Sequence, residues 1–119
     1  MANQIIDPIY SSFLNQVVTV TIDRPLGSKH PKHDLVYGLN YGFVPNTLAP
    51  DGEEIDAYVL GVDQPVENFT GRCIAIIHRL DDNDDKLVLA SDGATFTDEE
   101  ILASASFQER FFNSIVLRK

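Results

Sequence analysis

Three carboxylates lie close together in residues 40–56, whose sequence is NYGFVPNTLAPDGEEID. Asp51, Glu53 and Asp56 are spaced by two and three residues, so a turn and the start of a strand can aim all three side chains into one small volume. Carboxylates that close repel one another unless a counter-charge lies among them. Mg²⁺ is the usual counter-charge, because it takes oxygen ligands and keeps several waters for substrate phosphates. The alternative is a solvated acidic turn, since Asp-Gly is a common turn dipeptide.

A second acidic run, DDNDDK at 81–86, lies between apolar runs at 73–77 and 87–90. Two apolar runs joined by a short polar link predict a β-hairpin, so these acidic side chains are expected at a strand end. Side chains from separate segments can converge there, and the second cluster therefore favours a metal site. The alternative for this run alone is a polar turn whose like charges are fully solvated.

The composition indicates an acidic, folded protein. Its 119 residues are enough for one domain with a hydrophobic core, and 44% of them are hydrophobic. The formal net charge of −9 makes the chain a poor binder of nucleic acid, because that binding depends on cations that neutralise the backbone phosphates. The same charge repels a free polyphosphate. A phosphate substrate would therefore need metal ions to reverse the local sign.

The sequence predicts a cytoplasmic protein with no membrane partner. No apolar segment approaches the roughly 20 residues that span a bilayer. The first residues, MANQIID, lack the basic start and the apolar segment of a secretory signal. The single cysteine, Cys73, cannot form an internal disulfide, which is typical of a reducing compartment, and we interpret it as a small buried hydrophobic residue.

Two helices are predicted near the ends of the chain. Asp7 followed by Pro8 predicts a helix start, because Asp caps a first turn and Pro suits the first helical position, and this helix is expected to end near Asn15. The sequence TDEE at 97–100 is a capping-box pattern that opens a helix extending to about Asn113.

Five segments predict strands, and together with the helices they favour a mainly β fold, a small barrel with helices packed outside it. Residues 23–33, DRPLGSKHPKH, are expected to form a loop. In the third strand the alternation places Asp56 on the face opposite Ile55. The predicted strands are 17–22, 34–44 with a bend or bulge at its glycines, 54–60, 71–80 and 86–90.

The motifs together resemble those of the soluble inorganic pyrophosphatases whose core is a five-stranded OB-like barrel. The acidic signature of that family is matched by residues 51–56, DGEEID, and the aromatic turn before it by residues 40–43, NYGF. The second metal-binding segment of the family is matched by Asp81, Asp84 and Lys86. The resemblance therefore implies an OB-like barrel with a short N-terminal helix and a C-terminal helix.

The resemblance covers about residues 17–90 and implies a cytoplasmic, Mg²⁺-dependent hydrolase that cleaves diphosphate into two phosphates, with Mn²⁺ or another divalent ion as the alternative metal. In such an enzyme a metal-activated water attacks phosphorus. The expected catalytic residues are Glu53 as general base, Asp56 as bridging ligand, and Tyr41. The expected metal ligands are Asp51, Glu53, Asp56, Asp81 and Asp84. The expected substrate-binding residues are Arg24, Lys29, Lys32, Tyr41 and Lys86.

Three features depart from the family pattern. Glu53 stands where the family has Asp, and the extra methylene moves the carboxylate by about an ångström, which can cost ~10²-fold in rate. The charged strands that the family carries before the aromatic turn are compressed here into the loop 23–33, so Arg24 and the loop lysines are chosen by charge. Matching residues 107–112, FQERFF, to the C-terminal helix of the family puts phenylalanine at both positions of its phosphate-binding Tyr-Lys pair.

Several residues near the motifs have simpler interpretations. Tyr41 is alternatively a core aromatic residue, and Lys86 alternatively a charge that protects a strand edge. We interpret His30 and His33 as surface residues of the loop. Arg79 is expected to pair across solvent with Asp81 or Asp82.

Three functions therefore stand against one another. The first is Mg²⁺-dependent hydrolysis of diphosphate. The second is hydrolysis of another small phosphoanhydride, because fewer basic ligands leave a more open pocket. The third is a non-catalytic module in which carboxylates hold Mg²⁺ or Ca²⁺ and the barrel binds a phosphorylated ligand. Assembly into a homo-oligomer is also expected, since the family commonly assembles and the phenylalanines at 107, 111 and 112 suit either a core or a subunit contact.

Overall fold

A computed structural model describes residues 7–81 and 84–118. Its first helix, α1, is Pro8–Ser11, with Asp7 accepting the N–H of Ile9 as the N-cap. The second helix, α2, is Asp98–Glu109, and Thr97 with Glu100 forms the expected capping box. Six strands complete the fold: β1 Val17–Arg24, β2 Asn40–Phe43, β3 Asp56–Val59, β4 Asn68–Arg79, β5 Lys86–Ala90 and β6 Ser114–Leu117.

The first five strands form the closed OB-like barrel that the sequence predicts. Their order in the sheet is β1-β2-β3-β5-β4, and the antiparallel pairing of β1 with β4 closes the ring. The pairing of β3 with β5 is parallel, and each other pairing in the ring is antiparallel. Because β3 and β5 run side by side in the same direction, Asp56 and Lys86 are register partners at the first position of each strand.

The sixth strand corrects the prediction for the C-terminal segment. Helix α2 ends at Glu109 instead of near residue 113, and β6 then pairs antiparallel with β4 outside the ring. The strand was missed because its residues, SIVL, are too few to show an alternation of polarity. Its pairing with β4 fixes the end of α2 against the barrel.

Two apolar clusters lie on opposite faces of the strands. Ile55, Ala57 and Val59 belong to the cluster that α1 covers with Tyr10. Tyr58 belongs to the other cluster, which packs against Ile101 and Ala105 of α2. This alternation confirms the predicted faces of β3, and it places Asp56 on the side of the sheet that α2 covers. Cys73 is fully buried, as expected.

Gly42 allows β2 to approach β1 closely. A Cβ at this position would lie 1.9 Å from the carbonyl oxygen of Thr21, which is far inside van der Waals contact. The glycine of the NYGF sequence is therefore required by the pairing of the two strands.

Neither described helix is long and apolar enough to cross a membrane.

Candidate functional site

A pocket of about 640 Å³ lies between the loop after β1, the starts of β3 and β5, and the end of α2. Four carboxylates, three cations and two histidines line it, so its net charge is negative when the histidines are neutral. The lining residues are Asp23, Arg24, His30, His33, Asp34, Leu35, Tyr37, Tyr41, Asp56, Arg79, Asp84, Lys86, Gln108, Phe111 and Phe112.

Lys86 joins two carboxylates in the wall of this pocket. Its ammonium donates to Oδ2 of Asp56 at 2.9 Å and to Oδ2 of Asp84 at 2.7 Å. Lys86 is 2% exposed, whereas both carboxylates are 30% exposed. The lysine is therefore the buried counter-charge that allows two carboxylates, one from β3 and one from the segment before β5, to lie side by side. This burial rules out a strand-edge role for Lys86.

Tyr41 orients Asp56 from the neighbouring strand. Its hydroxyl donates to Oδ2 of Asp56 at 2.9 Å, the same oxygen that accepts from Lys86. Burial, followed by the charge of Asp56, raises the pKa of Tyr41 well above its ordinary value, so the hydroxyl stays protonated and remains a donor. Tyr41 is thus both a core aromatic residue and a contact to the predicted site.

The β4–β5 hairpin holds Asp84 in place through its neighbour Asp85. Oδ1 of Asp85 accepts the backbone N–H of Arg79 at 3.1 Å, and Oδ2 lies 2.8 Å from Nδ1 of His78. Burial raises the pKa of Asp84, while the adjacent Lys86 opposes that change. The acidic run is therefore a structured hairpin end for the residues that the structure describes.

Arg79 and Glu109 form a buried ion pair beside the pocket. The guanidinium donates through Nε to Oε1 at 3.1 Å and through Nη2 to Oε2 at 2.7 Å. Glu109 also accepts from the hydroxyl of Tyr58 at 2.6 Å and from Ser114 at 2.7 Å. Burial raises the pKa of Glu109, but its hydrogen bonds from Arg79, Tyr58 and Ser114 outweigh burial, and the net shift is downward. The expected solvent-exposed pairing of Arg79 was wrong, because this side chain is 4% exposed.

The loop after β1 brings two histidines to the pocket. Nδ1 of His30 accepts the backbone N–H groups of Lys32 at 3.0 Å and His33 at 3.2 Å. The neutral ring therefore carries its proton on Nε2. Partial burial, followed by the charges of His33, Arg24 and Lys32, lowers the pKa of His30 and favours this neutral form. The interpretation of these histidines as surface residues was incomplete, since both line the pocket.

The structure brings five of the predicted site residues together at the pocket. Tyr41, Asp56, Asp84 and Lys86 are linked by hydrogen bonds, and Arg24 lines the same pocket.

The other predicted site residues lie outside the pocket lining. Asp51 and Glu53 are exposed on the turn before β3, where Oδ1 of Asp51 accepts the N–H of Glu53 at 3.0 Å. Asp81 is exposed and accepts the N–H of Asn113. Lys29 and Lys32 are exposed on the loop. Their roles as ligands stay predictions.

The charges of Asp51 and Asp84 both act on one buried residue, Tyr10. Burial raises the pKa of Tyr10 first, and the charges of Asp85, Asp84 and Asp51 raise it further. The two acidic segments therefore act on a common neighbour, although within residues 7–81 and 84–118 they do not form a group of three or more side chains suited to hold a metal.

The pocket offers a hard divalent cation two carboxylate ligands and a negative net charge. Asp56 and Asp84 supply carboxylate oxygens in a pocket of negative net charge. Mg²⁺ is commonly bound by one or two carboxylates together with waters and substrate phosphates. The donor set therefore fits a metal that is completed by its substrate, whereas the predicted cage of five carboxylates is absent from the described part of the chain.

Sequence reasoning missed the contributions of Arg79, Glu109, His30 and His33. Glu109 belongs to none of the sequence motifs, but it lies at i+4 from Ala105 on the buried face of α2. A carboxylate on an apolar helix face requires a buried cation, and Arg79 within an apolar strand is the matching signal.

Comparison with known proteins identifies the family of this chain. The family model described as inorganic pyrophosphatase matches residues 18–115. An inorganic pyrophosphatase of Synechocystis sp. is 31% identical over 93 residues, covering 60% of this chain and 54% of the relative. A soluble inorganic pyrophosphatase of Oryza sativa subsp. indica is 36% identical over 73 residues, covering 58% of this chain and 32% of the relative. This chain thus spans about half or less of the length of these relatives.

Solved structures show the same fold. The inorganic pyrophosphatase of Ehrlichia chaffeensis superposes with a TM-score of 0.69 at 17% identity, covering 88% of this chain and 87% of the other. The inorganic pyrophosphatase of Coxiella burnetii superposes with a TM-score of 0.62 at 20% identity, covering 87% and 84%. Because the family match extends over residues 18–115, from the first strand of the barrel into β6, this chain belongs to the inorganic pyrophosphatase family.

Proposed function

We propose that this chain hydrolyses diphosphate to two phosphates with the help of a divalent metal ion, Mg²⁺ in the first instance. The observation that carries the proposal is the contact of one buried ammonium, that of Lys86, with both Asp56 and Asp84 in the pocket wall. Cations and carboxylates placed side by side suit a substrate that arrives as a metal complex of a polyanion. Membership of the family supports the same reaction.

Asp56 and Asp84 would hold the metal, which supplies charge neutralisation of the phosphoanhydride and an activated water. Lys86 and Arg24 would bind phosphoryl oxygens, because their charges complement the developing negative charge of the leaving phosphate. Tyr41 keeps Asp56 in one orientation through its hydrogen bond. Glu53 is the proposed general base, on the turn that leads into β3.

A phosphate-release assay with diphosphate tests this proposal. Purified protein is assayed with Mg²⁺, with Mn²⁺ and with a chelator, alongside Asp56→Asn and the control Asp63→Asn, whose side chain is exposed and outside the pocket lining. We expect metal-dependent turnover that falls at least ~10²-fold in Asp56→Asn, because positioning and charge are both lost, and that is unchanged in the control. Metal-independent turnover, or equal rates for the two variants, would contradict the proposal.

The size of the pocket favours a second candidate, hydrolysis of a larger phosphoanhydride. A volume of about 640 Å³ exceeds what a small inorganic anion fills, and Phe111 in the pocket lining is 64% exposed. Release of phosphate from nucleoside diphosphates or triphosphates, without release from diphosphate, would support this candidate. Binding of metal and diphosphate without hydrolysis of any of these compounds would instead support a non-catalytic binding module.

A further inference from the structure

Arg79 contributes a buried charge to the pocket wall. It is 4% exposed and lines the pocket at the end of β4. Its Cζ lies 3.6 Å from the centroid of the Phe112 ring, so one face of the guanidinium is covered by an aromatic side chain. Burying a cation has a substantial desolvation cost, and replacing a buried ion pair by apolar residues is often neutral for stability. A buried arginine beside a pocket therefore suggests a role beyond packing.

Glu109 sets the orientation of this guanidinium. Two parallel hydrogen bonds, at 3.1 and 2.7 Å, fix the plane of Arg79 against the carboxylate. The carboxylate is itself held by Tyr58 at 2.6 Å and by Ser114 at 2.7 Å. These contacts come from β3, α2 and β6, so three elements cooperate to hold one cation before any ligand arrives.

The guanidinium lies next to the Lys86 site. Nη1 of Arg79 is 3.5 Å from Oδ2 of Asp84, and that same oxygen accepts from Lys86 at 2.7 Å. Two cations therefore flank a single carboxylate oxygen in the pocket wall. The planar fork of arginine, with five N–H donors, matches the oxygens of a phosphoryl group better than a lysine does.

We propose that Arg79 binds a phosphoryl oxygen of the substrate together with Lys86, and that Glu109 is the positioning residue for Arg79. The class of substrate, a phosphoanhydride, rests on the proposed function, but the binding role does not require turnover. Positions 111 and 112, just after α2, carry phenylalanines, whose side chains have no hydrogen-bond donor. Arg79 thus supplies from β4 a cation that positions 111 and 112 lack, directly above the ring of Phe112.

Binding of imidodiphosphate, a diphosphate analogue that resists hydrolysis, tests the proposal by calorimetry in the presence of Mg²⁺. Arg79→Lys keeps the charge but removes the fork, and we expect its Kd to rise about tenfold or more. Arg72→Lys is the matched control, because Arg72 lies on the same strand and pairs with Asp92 outside the pocket lining. Glu109→Gln is expected to raise KM for diphosphate more than it lowers kcat. An unchanged Kd in Arg79→Lys would overturn the proposal.

A second measurement needs no variant. The ¹⁵Nε–H signals of the wild-type arginines are followed by NMR while imidodiphosphate and Mg²⁺ are added. Arg72 and Arg118 also donate through Nε to carboxylates, at 2.9 Å each, and serve as internal controls outside the pocket lining. We expect the chemical shift of the Arg79 signal to change during the titration with the same Kd that calorimetry gives, while the chemical shifts of the control signals stay unchanged. A saturating titration without a shift of the Arg79 signal would overturn the proposal.

The two proposals can fail separately. If imidodiphosphate binds and shifts the Arg79 signal while diphosphate is not hydrolysed, then the binding role of Arg79 holds and the proposed hydrolase activity is wrong. If diphosphate is hydrolysed and Arg79→Lys binds imidodiphosphate as tightly as the wild type, then the hydrolase activity holds and the role of Arg79 is wrong. Absence of imidodiphosphate binding by the wild-type protein overturns the role of Arg79.

Discussion

The ammonium of Lys86 lies 2.7 Å from Oδ2 of Asp84, and it reaches Asp56 from the same buried position. The two carboxylates come from segments 28 residues apart in the chain, and they lie near each other because β3 and β5 are parallel neighbours that begin at Asp56 and Lys86. The lysine therefore links the two acidic segments through one buried ammonium.

Replacing Lys86 by an uncharged residue of similar length should make the thermal stability of the protein depend on Mg²⁺. In Lys86→Met the carboxylates of Asp56 and Asp84 lose their shared cation, and we expect a loss of about 1–3 kcal/mol in the free energy of unfolding. Mg²⁺ at millimolar concentration should then raise the melting temperature of the variant more than that of the wild type, because the metal can replace the missing charge. Thermal unfolding with and without Mg²⁺ measures this, and equal shifts for both proteins would count against it.

The ion pair of Glu109 predicts a specific loss of stability in acid. The pKa of Glu109 is lowered in the folded protein, so the unfolded chain binds more protons in the range between the two pKa values. The stability that Glu109 contributes is fully present above the ordinary glutamate value of 4.5 and is lost as the pH falls through the lower, folded value. Glu109→Gln should be destabilised by about 3–5 kcal/mol at pH 7, with a gap to the wild type that narrows in acid.

Urea unfolding at several pH values between 3 and 7 measures this gap. Glu99→Gln is the matched control, because Glu99 lies on the same helix and is exposed. Its stability should stay close to that of the wild type throughout. A gap for Glu109→Gln that is the same at pH 3 and pH 7 would show that the carboxylate contributes through packing alone.

The barrel was predictable because its strands carry the pattern that their burial requires. In β3 the alternation assigned Ile55 and Asp56 to opposite faces, and the structure confirms that assignment. The capping box at the start of α2 was likewise local and was correctly interpreted. The end of α2 was not predicted correctly. The residues that follow it form β6 and pair with β4, and this long-range contact leaves no local signal in the sequence.

The site was only partly predictable for the same reason. Spacing indicated that Asp51, Glu53 and Asp56 could share one volume, but the exposed turn keeps the first two outside the pocket lining, while β3 holds Asp56 within it. Arg79 reaches the pocket because Glu109 meets it from a helix 30 residues later in the chain. Their apolar surroundings in the sequence indicate that both residues are buried, but their pairing at that separation is decided by tertiary packing.

Gly42 gives a prediction about the pairing of β1 with β2, the strand that carries Tyr41 of the pocket. In Gly42→Ala the new Cβ would meet the backbone carbonyl of Thr21, which cannot move aside without breaking the β1–β2 pairing. We expect a loss of at least about 3 kcal/mol in the free energy of unfolding. Gly38→Ala is the control, because its Cβ would meet only the Phe107 side chain, at 3.3 Å. Urea unfolding compares the two variants, and a similar small loss in both would contradict the close approach at Gly42.

The two phenylalanines after α2 should respond in opposite ways when they are given the polar residues that the family resemblance leads one to expect. Phe111 is 64% exposed in the pocket lining, so Phe111→Tyr adds a hydroxyl at no packing cost, and we expect an unchanged melting temperature with equal or tighter binding of imidodiphosphate. Phe112 lies under the guanidinium of Arg79, so Phe112→Lys replaces an attractive aromatic face by a like charge. We expect this variant to lose about 1–3 kcal/mol of stability and to bind imidodiphosphate no more tightly than the wild type. Thermal unfolding measures the stability of both variants, and calorimetry measures their binding of imidodiphosphate. Tighter binding by Phe112→Lys would contradict the prediction, because it would mean that a second cation can be placed next to the guanidinium of Arg79.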